Sequence, residues 1–351
     1  MAEPFARYVL LAGPPDANTF ERLSVKGISR ILREQRMDGD SSATPPEAER
    51  EINLAGSGLS TPPRHKIGLG AGWRLLLYGA FFFLLWSISI FLLRQLVRPP
   101  VGVFSPCFEL FGELASFLAA FFAAWMMAQF EERPVGVYGL PARDAFGKRF
   151  GQGCLFGICS ISALIGLIAA LGGYSFGGMA ENGTMIAKWA LYWAAFFLVV
   201  GFFEEFLFRG YTLHTLAEGI GFWPAAVVLS AAFGAIHLQN SGEGWTGVAG
   251  VAFVGLFWSF TLNRTGSLWF AVGMHATFDF GETFLYSVPD SGVIFRGHLS
   301  NATLHGPRWL TGGSAGPEAS VFDFLLLAAL FLIVHFVFPA RQQEKSATAT
   351  S

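Results

Sequence analysis

The sequence predicts an all-α fold, a polytopic membrane bundle of about eight transmembrane helices. Two observations carry that expectation. Of the 351 residues, 53% are hydrophobic and 16% aromatic, while only 14% are charged, against about 25% charged in soluble domains. The apolar residues also fall in blocks of about 20, the length that crosses a bilayer as a helix. A net charge of −2 supplies no electrostatic footprint for nucleic acid, so no nucleic-acid partner is expected.

Residues 1–66 are polar and read as a cytoplasmic tail. Phe20, Leu23, Ile28, Ile31 and Leu32 lie near one helical face, with Arg22, Lys26, Arg30, Arg33 and Arg36 adding positive charge. That stretch reads either as an amphipathic helix on anionic lipid or as a loosely ordered segment. A linker follows as far as Lys66. Prolines break the first apolar patch, so no cleavable signal peptide is read there and the spans themselves are expected to direct insertion.

Eight apolar segments follow, at 73–95, 107–130, 150–172, 186–208, 222–239, 245–262, 267–287 and 320–339. The fifth and seventh contain polar residues. The first three form an N-terminal group within 67–185. Residues 186–287 hold the polar constellation described below, and 288–351 supply a loop, the last helix and a short tail. Cys107, Cys154 and Cys159 lie in apolar blocks without metal-site spacing and read as small apolar residues. Gly153–Gly157 and Ala231–Ala235 are small-xxx-small pairs that allow close helix packing.

Basic residues set the expected orientation. Arg64, Lys66 and Arg74 precede the first span. Arg133, Arg143, Lys148 and Arg149 separate the second and third. Arg209 and Arg264 follow the fourth and sixth, and Arg341 and Lys345 the last. These share one side if both termini are cytoplasmic, as the positive-inside rule favours. The loop at 288–319, which carries Arg296 and Arg308, is then extracytoplasmic. The expected location is the cell membrane, multi-pass.

Charged groups inside the apolar segments need a use or a partner, because each costs at least about 2.5–3.5 kcal/mol to insert. In the stretch FFEEFLFRGY, Glu205 and Arg209 are four apart and can pair on one helix face. Glu204 points about 100° away and has no such partner. Downstream, FGAIHLQN places Phe233 four residues before His237. WFAVGMHATFDFGETF places His275 four before Asp279, with Glu282 a turn further on, expected at a cavity mouth. Three segments thus bring Glu, His and a His/Asp pair to membrane depth. His214, His298, His305 and His335 lack motif partners and read as interface or loop residues.

These motifs, EExxxR (Glu204, Glu205, Arg209), FxxxH (Phe233, His237) and HxxxD (His275, Asp279), taken in order on successive apolar segments, resemble the CPBP family. It comprises the CAAX proteases and bacteriocin-processing proteins, among them the type II CAAX prenyl endopeptidase. The resemblance covers about 186–287 and implies an intramembrane endopeptidase. By motif, Glu204 and His237 would activate a water, and His275 with Asp279 would stabilise the oxyanion. Glu205, Arg209 and Phe233 would support the site.

Asp279 stands where the family often has Asn, and an ionised carboxylate would repel an oxyanion. It could be protonated, orient His275, or bind a metal. No cofactor is favoured, since the H-E-x-x-H signature is absent; zinc held by Glu204, His237, His275 and Asp279 is the open alternative. The expected substrate is a hydrophobic or lipid-anchored peptide met in membrane lipid. Competing readings are a non-catalytic protein of the same fold, serving bacteriocin immunity or assembly, and a transporter, because intramembrane Glu, His and Asp also serve proton and ion pathways.

Overall fold

The computed structural model describes residues 70–99 and 104–338. The amphipathic stretch and linker expected within 1–66 lie outside the described residues. The chain is built of α1 (Ala71–Val97), α2 (Pro106–Phe130), α3 (Lys148–Ala170), α4 (Gly183–Glu205), α5 (Thr212–Ile220), α6 (Phe222–Ile236), α7 (Trp245–Thr265), α8 (Trp269–Phe280), the one-turn α9 (Arg308–Thr311) and α10 (Val321–Val337). A two-residue ladder pairs β1 (Tyr174–Ser175) antiparallel with β2 (Thr303–Leu304). The all-α expectation holds.

Among the described residues, six helices are long and apolar enough to cross a membrane. The eight expected spans all appear as helices, but the last two are short. α10 has 17 residues, and α8 has 12 before a π-helical turn over Gly281–Leu285. The fourth span, by contrast, runs on through a π-helical turn (Phe206–Tyr211) to Ile220, 38 residues in all.

Outward faces are lined by side chains such as Phe83, Leu191, Leu325 and Phe336, exposed by 60–78% as a lipid-facing belt requires. Because lipid is as apolar as the helices, the bundle is held by close packing. α8 lies in the middle, against α3 on one side and α4 on the other. A Cβ at Gly153 or Gly157 would collide with the Phe270 or Met274 carbonyl oxygen, so the first small-xxx-small pair is the α3–α8 contact. Thr277 Oγ1 reinforces it by donating to the Cys154 carbonyl at 3.0 Å. The second pair is not a contact of this kind. Ala231 and Ala235 are exposed, and Gly234 makes the α6–α7 approach instead, where a Cβ would stand 2.5 Å from the Val248 carbonyl oxygen. The three cysteines are free thiols.

One end of the bundle is tied by a buried ionic cluster. Arg74 on α1 contacts Glu131 at 3.3 Å and Glu218 at 2.6 Å, and Arg133 contacts Glu218 at 2.6 Å. Tyr211 donates to Glu131 at 2.5 Å. The start of α1, the end of α2 and the end of α5 therefore share a face, the grouping that the basic residues predict. The segment after α3 and the loop between α8 and α10 meet at the other face, joined by the β ladder.

Candidate active site

Glu204 and Glu205 end α4, and the π-helical turn follows at once. Gly210 breaks helical geometry there (φ −79°, ψ −116°), and Thr212 Oγ1 takes up freed carbonyl valence by donating to Phe208 at 2.9 Å. π turns of this kind concentrate at functional sites. This one carries Arg209 inward, where its Nη1 meets Glu205 Oε1 at 3.3 Å with both side chains essentially without solvent contact. The expected i, i+4 pair is therefore made, and it is buried.

Arg209 is also packed between rings. Its guanidinium carbon lies 4.3 Å from the Phe233 centroid and 5.4 Å from that of Trp258. Gly255 on α7 makes the room, since a Cβ there would collide with Arg209 Nη2. Phe233 thus supports the site through its ring, and through its carbonyl too, which accepts from His237 Nδ1 at 2.8 Å. A carbonyl can only accept, so Nδ1 carries the proton and neutral His237 keeps its Nε2 lone pair.

His275 is held from several directions. Its Nδ1 lies 3.0 Å from Glu205 Oε1. Its Nε2 lies 3.1 Å from Asp279 Oδ2 and 3.6 Å from Glu204 Oε2. The Trp258 ring stacks on it at 4.3 Å and 12°. With carboxylates at both nitrogens, the ring donates to both sides at once only as imidazolium. Glu205 therefore goes beyond its expected local pairing: it bridges Arg209 and His275.

Glu204, Phe233, His237, His275 and Asp279 line one cavity of about 230 Å³. Its wall continues through Glu113 of α2 to Asp290, Ser291, Val293, Phe295 and Glu318. The chamber thus runs from mid-bundle toward the 288–319 loop. At that end, burial with the charge of Asp279 pushes the Asp290 carboxyl above its usual range and the Glu318 carboxyl up to about 7.

Sequence reasoning missed Glu113, Trp258 and Gly255. Glu113 carried a usable signal, being an ionisable group inside an apolar span; the other two carried none. Glu282 was expected at the cavity mouth. It is instead fully buried outside the chamber lining. His214, His298, His305 and His335 bond to partners outside the chamber lining: Arg133, the Ser300 carbonyl, Thr303 and Arg264 respectively.

The zinc alternative calls for ligand atoms gathered around one point. Among the described residues, the acids and histidines whose ligand atoms all lie within 4.8 Å of one another are Glu282, Asp290 and Glu318. Glu204, His237, His275 and Asp279 are not gathered in that way, and both nitrogens of His275 are already opposed by carboxylates.

A family model described as Type II CAAX prenyl endopeptidase Rce1-like matches residues 186–281. No curated protein and no solved structure matches. The matched segment runs from α4 to the start of the turn after α8, and it carries every motif residue converging on the chamber. Through this segment the chain, a multi-pass membrane protein, is similar to the type II CAAX prenyl endopeptidases of the CPBP family.

Proposed function

We propose that this protein is an intramembrane endopeptidase in which Glu204 activates water, with His275 supporting the oxyanion. The observation that carries the reading is the 3.6 Å approach of Glu204 to His275 inside a cavity that His237 also lines. Peptide hydrolysis needs a base that reaches the water proton and positive charge aimed at the developing oxyanion. Glu204 is the base. It takes a proton from water, the hydroxide oxygen bonds to the scissile carbonyl carbon, and Glu204 returns that proton to the departing amine nitrogen. His237 Nε2 accepts a hydrogen bond from the same water, because its Nδ1 is committed to Phe233.

Asp279 takes a different role from an oxyanion donor. At 3.1 Å from His275 Nε2, it works with Glu205 to hold the imidazolium in place. The ring's charge then opposes the oxyanion without Asp279 having to donate. Both carboxylates are positioning groups in this scheme. The apolar walls Phe196, Phe197 and Val200 suit a hydrophobic or lipid-anchored peptide, as the family suggests. Both termini lie in the cytoplasm under the positive-inside assignment.

The test is cleavage of a panel of prenylated and unmodified apolar peptides by purified protein. Glu204→Gln should abolish turnover, and His237→Ala should lower it by about 10²–10⁴-fold, the range of acid–base assistance. Helical content should be unchanged in both. A Glu204→Gln variant that still cleaves at the wild-type rate removes Glu204 as the base.

A further inference from the structure

Where the chamber wall reaches the 288–319 loop, two of its acids, Asp290 and Glu318, meet a third, Glu282. Glu282 comes from the π turn after α8, Asp290 from the following loop, and Glu318 from the turn Pro317–Ala319 before α10. One carboxylate oxygen of each lies within 4.8 Å of those of the other two. Among the described residues no Lys or Arg forms an ion pair with any of them.

An acidic cluster alone would carry no weight, but Glu282 adds a separate observation. It is wholly buried, and neither of its carboxylate oxygens has a hydrogen-bond partner. A buried carboxylate without donors is costly and rare. Its neighbours are half-satisfied in a consistent way. Thr283 donates to Asp290 Oδ2 at 2.9 Å, and the Ser291 amide and hydroxyl donate to Glu318 Oε2 at 3.1 and 2.8 Å. Each bond fixes one oxygen and leaves the other without a protein donor. Gly316, in the left-handed region (φ +106°), brings backbone against the same spot. A Cβ there would stand 3.4 Å from Glu282 Oε1 and collide with the Pro289 carbonyl oxygen.

We propose that Glu282, Asp290 and Glu318 bind one hard divalent cation, of the calcium and magnesium class, clamping the 288–319 loop to the end of α8. Three carboxylates with no imidazole or thiolate are an oxygen donor set, which suits these ions and disfavours zinc or copper. The ion neutralises the acids and supplies the partner that Glu282 lacks. It also fixes the loop that forms one end of the chamber. This site stands whether or not the peptidase reading does.

The test uses full-length protein in detergent, stripped with chelator and titrated separately with Ca²⁺, Mg²⁺ and Mn²⁺. Thermal unfolding and equilibrium dialysis are followed. One ion should bind per chain, with a saturable rise in Tm as expected for a ligand of the folded state. Glu282→Gln and Glu318→Gln should each weaken binding at least about tenfold, as charge count sets affinity at such sites. Wild type that responds to none of the three ions overturns the proposal, and this result needs no variant to fold. It is also overturned by Glu282→Gln matching or exceeding wild-type stability in every arm, which means the acids are held by protons. Binding that survives both Gln variants but is lost in His275→Ala puts the ion at the His275 end of the chamber and overturns it as well.

Discussion

The Glu205–Arg209 pair offers a prediction with a magnitude. The two groups are 3.3 Å apart and exposed by 0% and 1% at the side chain. At an effective dielectric of about 20, unit charges at that separation attract by roughly 5 kcal/mol. Removing one partner of a buried pair costs about 3–5 kcal/mol, because the other is stranded. Arg209→Met should therefore destabilise the bundle severely, leaving Glu205 facing His275 alone. Arg209 Nε and Nη2 make no hydrogen bond, so little besides the pair and the ring contacts is lost. Adding Glu205→Gln removes the stranded charge. The double variant should recover about 2–3 kcal/mol relative to the sum of the singles, the upper range of coupling for residues in contact. Reversible unfolding in mixed detergent micelles measures all four corners of the cycle. Additivity within about 0.5 kcal/mol would show that the two residues do not form the pair and would undo the assignment of Glu205 as a bridge.

Three further outcomes follow from the geometry. Trp258→Leu removes the ring stacked on His275 at 4.3 Å; a cation–π loss of about 1–2 kcal/mol predicts a fall of roughly tenfold in kcat with KM nearly unchanged. Gly153→Val drives a side chain into the Phe270 carbonyl and should exceed the roughly 1–3 kcal/mol of ordinary overpacking, seen as loss of monodisperse folded protein on size exclusion, whereas Ala231→Val on the exposed face should be tolerated. In a background without Cys107, Cys154 and Cys159, an impermeant maleimide on intact cells should label Met179→Cys and spare Asp144→Cys; the reverse pattern inverts the topology.

What the sequence revealed and what it hid have physical causes. Apolar runs are long and sharply bounded in a membrane protein, so span ends such as Ala71, Pro106 and Phe222 lie close to where hydropathy alone puts them. The motif residues were legible because a charge in hydrocarbon must be used or paired, and four-residue spacings bring partners onto one helix face. The π turn was not legible. Nothing in FLFRGY distinguishes it from plain helix, yet it directs Arg209 toward Phe233. Contacts between helices were hidden for the same reason: Gly255 beneath Arg209 and Trp258 on His275 depend on how α7 docks, which no local pattern encodes. Glu205 was read as paired within its own helix, and only the placement of α8 shows that it also reaches His275. Gly153 and Ala231 head identical small-residue patterns, and packing alone decides that the first is an interface and the second faces outward.

The water-activation role of Glu204 is tested most directly by cleaving a peptide substrate in H₂¹⁸O under single-turnover conditions. One ¹⁸O atom should enter the new C-terminal carboxylate, with none in Glu204 itself, and Glu204→Gln should form no product. Label recovered on the Glu204 carboxyl after a turnover would instead indicate an acyl-enzyme on that residue and contradict the assignment of Glu204 as a base.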